Sequence, residues 1–144
     1  MAAFIFFDEC IFNSLNGAID YDTHTFKAAL SNTAPTVATF DELADITEIA
    51  NANGYTTGGV TLTSVTLAET GGGTGIWQWS CADFSWTASG GSIGTFQYVV
   101  IYSDTSTTDK LIGYYDYGGA VNITTGNTFT VDIGASGIFQ AQEP

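Results

Sequence analysis

The sequence contains no arginine, and Lys27 and Lys110 are its only basic residues against 15 Asp and Glu, giving a formal net charge of −13 over 144 residues. Nucleic-acid binding draws on cationic side chains that displace counterions from phosphates. A chain this poor in cations repels phosphate backbones and anionic lipid, which argues against direct DNA or RNA binding and against a membrane-surface role. Histidine is almost missing too, His24 being the only one. A serine or cysteine nucleophile needs a placed base. His24 lies in Thr23-His24-Thr25 on the parity of Phe26 and reads as an ordinary strand histidine. No G-x-S-x-G, P-loop or dinucleotide fingerprint occurs, so the chain reads as non-enzymatic.

Cysteine and proline are equally sparse. Cys10 and Cys81 are far apart and form no CxxC or Cys/His cluster, so they read as buried free thiols acting as small hydrophobes. No apolar run approaches membrane-spanning length. Phe4-Ile5-Phe6-Phe7 lacks a positive flank and is interrupted by Asp8 and Glu9, unlike a secretory signal. The expectation is a soluble protein made in the cytoplasm.

What is present is apolar and aromatic: 44% hydrophobic residues, with 10 Phe, 7 Tyr, 3 Trp and 17 Gly. Each aromatic can bury roughly 150–250 Å², enough for one domain with a real core. The centre is Ile93 to Gly118, read as two long strands joined by the polar turn Asp104 to Lys110. Phe96, Tyr98, Val100 and Tyr102 alternate with Gln97, Val99, Ile101 and Ser103, so both faces are apolar in the middle. Such a strand is covered on both sides.

Around this centre, Thr23 to Asn32 alternates as a half-buried strand. Residues 36–53 carry Leu43, Ile46 and Ile49 at helical steps, predicting one or two short helical turns with Thr39 or Asp41 as cap. Val60, Leu62, Val65 and Leu67 change parity, predicting a bulge near Thr63 and Ser64. Ile76 to Cys81, Phe84 to Ala88, Val121 to Ile123, Asn127 to Ile133 and Gly137 to Gln140 read as further short strands. This spacing predicts an all-β, antiparallel sandwich, jelly-roll or immunoglobulin-like, of about eight strands with short helical turns. Residues 18–144 form that single domain, and residues 1–17 an N-terminal arm or capping segment. Phe4, Phe7, Ile11 and Leu15 have helical spacing, whereas Phe4 to Phe7 could equally extend as an edge strand.

The remaining candidate sites are acidic or aromatic. Asp20-Tyr21-Asp22 and Asp41/Glu42/Asp45 are acidic but match no EF-hand spacing, so no metal or cofactor is expected. Nothing singles out a catalytic carboxylate pair. Trp77 and Trp79 share a strand face and are candidates for a sugar-stacking platform, against the plainer reading as core.

The segments Thr25-Phe26-Lys27-Ala28-Ala29-Leu30, Asn32-Thr33-Ala34-Pro35, Leu43 to Ile49, Asn53 to Gly59, Phe84 to Gly94, Phe96 to Tyr102 and Leu111 to Gly118, in this order, resemble small virion structural proteins of tailed bacteriophages. Residues 1–17 depart from that pattern, with an aromatic run in place of an amphipathic helix. The resemblance implies a non-enzymatic particle component: a capsid decoration (cement) protein, with a tail or neck component, or a particle-borne carbohydrate-binding module, as alternatives. The charge of −13 suits the outer surface of a DNA-filled shell. The expected partner is the major capsid protein, with the chain itself a homo-oligomer, taken as a trimer, that presents repeated contacts. Phe4, Ile5, Phe6 and Phe7 are the candidate contact patch.

Overall fold

The computed structural model describes residues 2–142. Among these, the elements follow in the order β1 (Phe4–Phe6), α1 (Asp8–Leu15), β2 (Phe26–Ser31), β3 (Val60–Thr61), β4 (Thr66–Glu69), β5 (Ile76–Ser80), β6 (Phe84–Thr87), β7 (Ile93–Ser103), β8 (Leu111–Ile123), β9 (Thr128–Val131) and β10 (Phe139–Gln142). One 3-10 turn lies at Leu43–Asp45. The strands form an antiparallel sandwich. One layer is a five-stranded sheet in the order β1-β8-β7-β2-β3; the other is divided between β10-β5-β4 and the pair β6-β9.

The two long strands sit at the centre of the larger sheet, as their composition requires. β8 extends further than the sequence suggests, because Val121 and Ile123 stay paired with Phe96 and Ile93 across register shifts. What was expected as a separate strand is the far end of β8. The turn between β7 and β8 is held by its serines: Ser106 Oγ donates to the Ser103 carbonyl at 2.8 Å and accepts the Lys110 N–H at 2.8 Å.

Each face of this sheet has its own cover. Phe26, Ala28 and Leu30 of β2 lie beside Val99 and Ile101 on one face, and Phe26 meets Trp79 of the second layer at 4.8 Å. On the opposite face Tyr98, Val100, Tyr102 and Tyr114 are all buried. There the cover comes from residues 32–59, which carry little regular structure. Tyr102 donates to the Gly58 carbonyl at 2.7 Å, and the Glu48 carboxylate accepts both the Tyr55 hydroxyl at 2.5 Å and the Gly58 N–H at 2.8 Å. Within this cover the 3-10 turn is capped by Glu42, reciprocally with Asp45, rather than by Thr39 or Asp41.

The parity change between Leu62 and Val65 also has a different origin from a bulge. β3 pairs with β2 in the large sheet, whereas β4 pairs with β5 in the second layer. Ser64, with φ of 53°, turns the chain between them. Side chains switch parity because the strand changes sheet.

Gly59 has φ of +74°, and a Cβ there would fall 1.8 Å from the Ala28 carbonyl oxygen. Gly126 has a comparable φ of +84° but faces open space. Gly59→Ala should therefore cost about 3 kcal/mol and Gly126→Ala only about 1 kcal/mol, measured by equilibrium urea unfolding. Equal losses would show that the approach to β2 is not what requires glycine.

Candidate functional site

β1 is the edge of the five-stranded sheet, pairing Phe4, Ile5 and Phe6 with Tyr115, Tyr114 and Gly113. Alternation sends Phe4 and Phe6 towards the second layer, where their rings lie 6.4 and 5.0 Å from Phe139. Phe7 packs 5.4 Å from Tyr114 and has no exposed surface. Of the four candidate patch residues, Ile5 and Phe6 are about one-third exposed, Phe4 is half-buried and Phe7 is enclosed. The segment is woven into the sandwich.

Directly after Phe7 the Asp8 N–H donates to the Val37 carbonyl at 3.2 Å, and the chain turns into α1. Asp8 and Glu9 occupy its first turn, where carboxylates complement the helix dipole. The spacing of Phe4, Phe7, Ile11 and Leu15 thus spans both a strand and a helix.

α1 is inverted relative to an ordinary amphipathic helix. It turns Cys10 and Asn13 inward, while Ile11, Phe12 and Leu15 are 64%, 62% and 84% exposed. Polar contacts hold this orientation. Asn13 Nδ2 donates to Asp41 Oδ1 at 2.6 Å, and the other Asp41 oxygen is paired with the Lys110 ammonium. Ser14 Oγ donates to the Cys10 carbonyl at 2.7 Å and lies 3.0 Å from the Tyr21 hydroxyl, which is 3.2 Å from Cys10 Sγ.

Between α1 and β10 runs an apolar groove of about 350 Å³, with Phe6, Ile11, Leu15 and Phe139 among its walls and Cys10 and Tyr21 lining it as well. It continues the exposed helix face. Ile11, Phe12 and Leu15 were not singled out as a contact patch from the sequence. The signal was the small or polar set Cys10, Asn13 and Ser14, which marks the side of the helix that approaches the sandwich.

The other candidates do not assemble into sites. Trp79 is enclosed, with Tyr21 and Phe139 at 5.1 and 5.4 Å, while Trp77 is 51% exposed near the end of β5. The shared face therefore does not form a two-tryptophan platform. His24 precedes β2, its Nδ1 2.8 Å from Ser103 Oγ. Ser103 is fully buried and accepts the Ser106 N–H, so its hydroxyl is structural. Asp20 accepts from the Asp22 and Thr23 N–H groups and the Thr23 hydroxyl, Asp41 and Glu42 hold Lys110, and Asp45 caps the 3-10 turn. Among the described residues no group of three His, Cys, Asp or Glu is placed to hold a metal, and no helix is long and apolar enough to cross a membrane.

Compared with known proteins, the chain matches no family model, no curated protein and no solved structure.

The thiols and phenols carry a pH signature. Burial pushes the Cys10 thiol up and Cys81 up to about 11 from an ordinary 9.0. Burial likewise raises Tyr21, Tyr55, Tyr102 and Tyr115. Unfolded, Cys81 would lose its proton near pH 9 while the folded chain retains it, so stability falls as pH rises through the 9 to 11 window. Thermal melts should show this alkaline decline. At pH 8 both thiols should react with a disulfide reagent at less than about a tenth of their rate in urea; fast labelling of the native chain would contradict their enclosure.

Proposed function

We propose that this chain is a non-enzymatic virion structural protein of a tailed bacteriophage, which decorates the outer face of the shell by docking through α1 onto the major capsid protein. The observation that carries the docking role is the inversion of α1. A helix that exposes Ile11, Phe12 and Leu15 while burying Cys10 and Asn13 opposes its own hydrophobic partition unless another surface covers it. At about 200 Å² for a fully exposed side chain of this size, the exposed fractions of these residues and of Phe6 amount to roughly 500 Å². That is comparable with the largest patches on monomers and supplies much of the roughly 800 Å² per partner of a standard interface.

The assignment to a virion rests on the resemblance over roughly residues 23–140, and the acidity suits a position outside the packaged DNA. The hydrogen bonds that hold α1 make the docking face preorganised, so little ordering entropy opposes binding. Repetition over a shell then adds avidity to a modest single contact.

Removing residues 1–12 would take out an edge strand together with the enclosed Phe7 and Cys10, so surface substitutions are the informative variants. Phe12→Ser with Leu15→Ser should leave the melting temperature nearly unchanged and weaken attachment to purified particles about tenfold or more. Undiminished attachment would refute the docking face. Quantitative mass spectrometry of the chain in purified virions should give a copy number of the same order as the capsid protein. A small cyclic number would move the protein to the tail or neck, and absence from particles would end the virion reading.

A further inference from the structure

The docking reading leaves open what kind of surface receives α1, and the charge distribution bears on it. Asp8 and Glu9 are exposed and stand one turn before Ile11 and Phe12, at the spacing of neighbours on one helix face. The last turn of α1 carries no basic residue. The exposed face is therefore an apolar centre with an acidic rim at one end.

Both lysines are already engaged. Lys27 pairs with Asp104 at 3.1 Å, and Lys110 with Asp41 and, at 3.2 Å, Glu42; their side chains are 29% and 18% exposed. Among the described residues, a second copy of this chain has no unpaired lysine to set against Asp8 and Glu9. A two-fold contact through this face would bring together two molecules of net charge −13 with no free lysine between them, and unrelieved like charge across an interface is costly. Lysine or arginine on a different protein removes that cost and adds attraction.

Resting on the docking reading, we propose that the surface receiving α1 is an apolar groove on a different protein, rimmed by lysine or arginine side chains that meet Asp8 and Glu9. A homo-oligomer of this chain then uses other faces.

The test places the photocrosslinker p-benzoylphenylalanine at Phe12 in the full chain, irradiates particles carrying it, and identifies the crosslinked peptide by mass spectrometry. The expected product is an apolar segment of another protein flanked by Lys or Arg. Its yield should fall severalfold when salt is raised from about 0.1 to about 1 M, where screening shortens from about 10 to about 3 Å. Asp8→Asn with Glu9→Gln should lower it by a similar factor while costing no more than about 2–4 °C of melting temperature from the lost helix-dipole contacts. A crosslink to a second copy, an acidic or neutral receiving segment, a salt-independent yield, or no crosslink would each overturn the proposal. The failures separate: a basic groove on a protein outside the shell keeps this inference and removes the decoration role. A capsid-protein crosslink without basic residues keeps the role and removes the inference.

Discussion

The pairing of β7 with β8 is the constraint on which the rest depends. β8 spans Leu111–Ile123 and pairs along β7 through several register shifts. Its length gives every other part a place: β2 lies along the free edge of β7, β1 along that of β8, and each layer of cover packs on one face. Non-local pairing of this kind is slow to form. The connection between the two strands is local, however, and its serines bond to each other's backbone.

The outer cover is stabilised differently from the inner one. Between the layers, Phe26, Trp79, Tyr21, Phe139 and Phe4 form a chain of ring contacts. On the outside, residues 32–59 depend on a few buried polar anchors. Ser31 Oγ donates to the Thr47 carbonyl at 2.7 Å, and Tyr55 links Glu48 to the Leu30 N–H. An irregular segment can cover a sheet only when its backbone groups find partners. Glu48 and Tyr55 meet that requirement here, and the Asp41 carbonyl, which accepts the Leu111 N–H, extends it to the start of β8.

The sandwich and its central strands were legible because alternation, apolarity on both faces and the polar turn at 104–110 agree. The exposed apolar face of α1 was only half legible. Phe4 to Phe7 form one apolar run, but the switch from strand to helix at Asp8 puts Phe7 inside and Phe12 outside. Helical spacing alone names Phe7 and Ile11 together, and only the contacts of Asn13 and Cys10 tell which side faces inward. Trp77 and Trp79 illustrate the converse limit. They share parity, yet only Trp79 lies beneath the opposing sheet. The transfer of residues 60–69 between layers was visible as a parity slip, but a slip does not distinguish a bulge from a change of sheet.

The division of the second layer has a mechanical consequence. Among the described residues no strand of β10-β5-β4 is paired with β6 or β9, so the seam between the two small sheets is crossed by side-chain packing and turns rather than by a ladder of main-chain hydrogen bonds. The five-stranded sheet has no such seam, and deformation there must work against a continuous ladder. Main-chain hydrogen bonding is therefore unevenly distributed, running across the whole of one layer and interrupted along one line in the other. β10, which borders the groove beside α1, is hydrogen-bonded only to β5 in one of the small sheets, whereas the wall carried by β1 is tied into the five-stranded ladder.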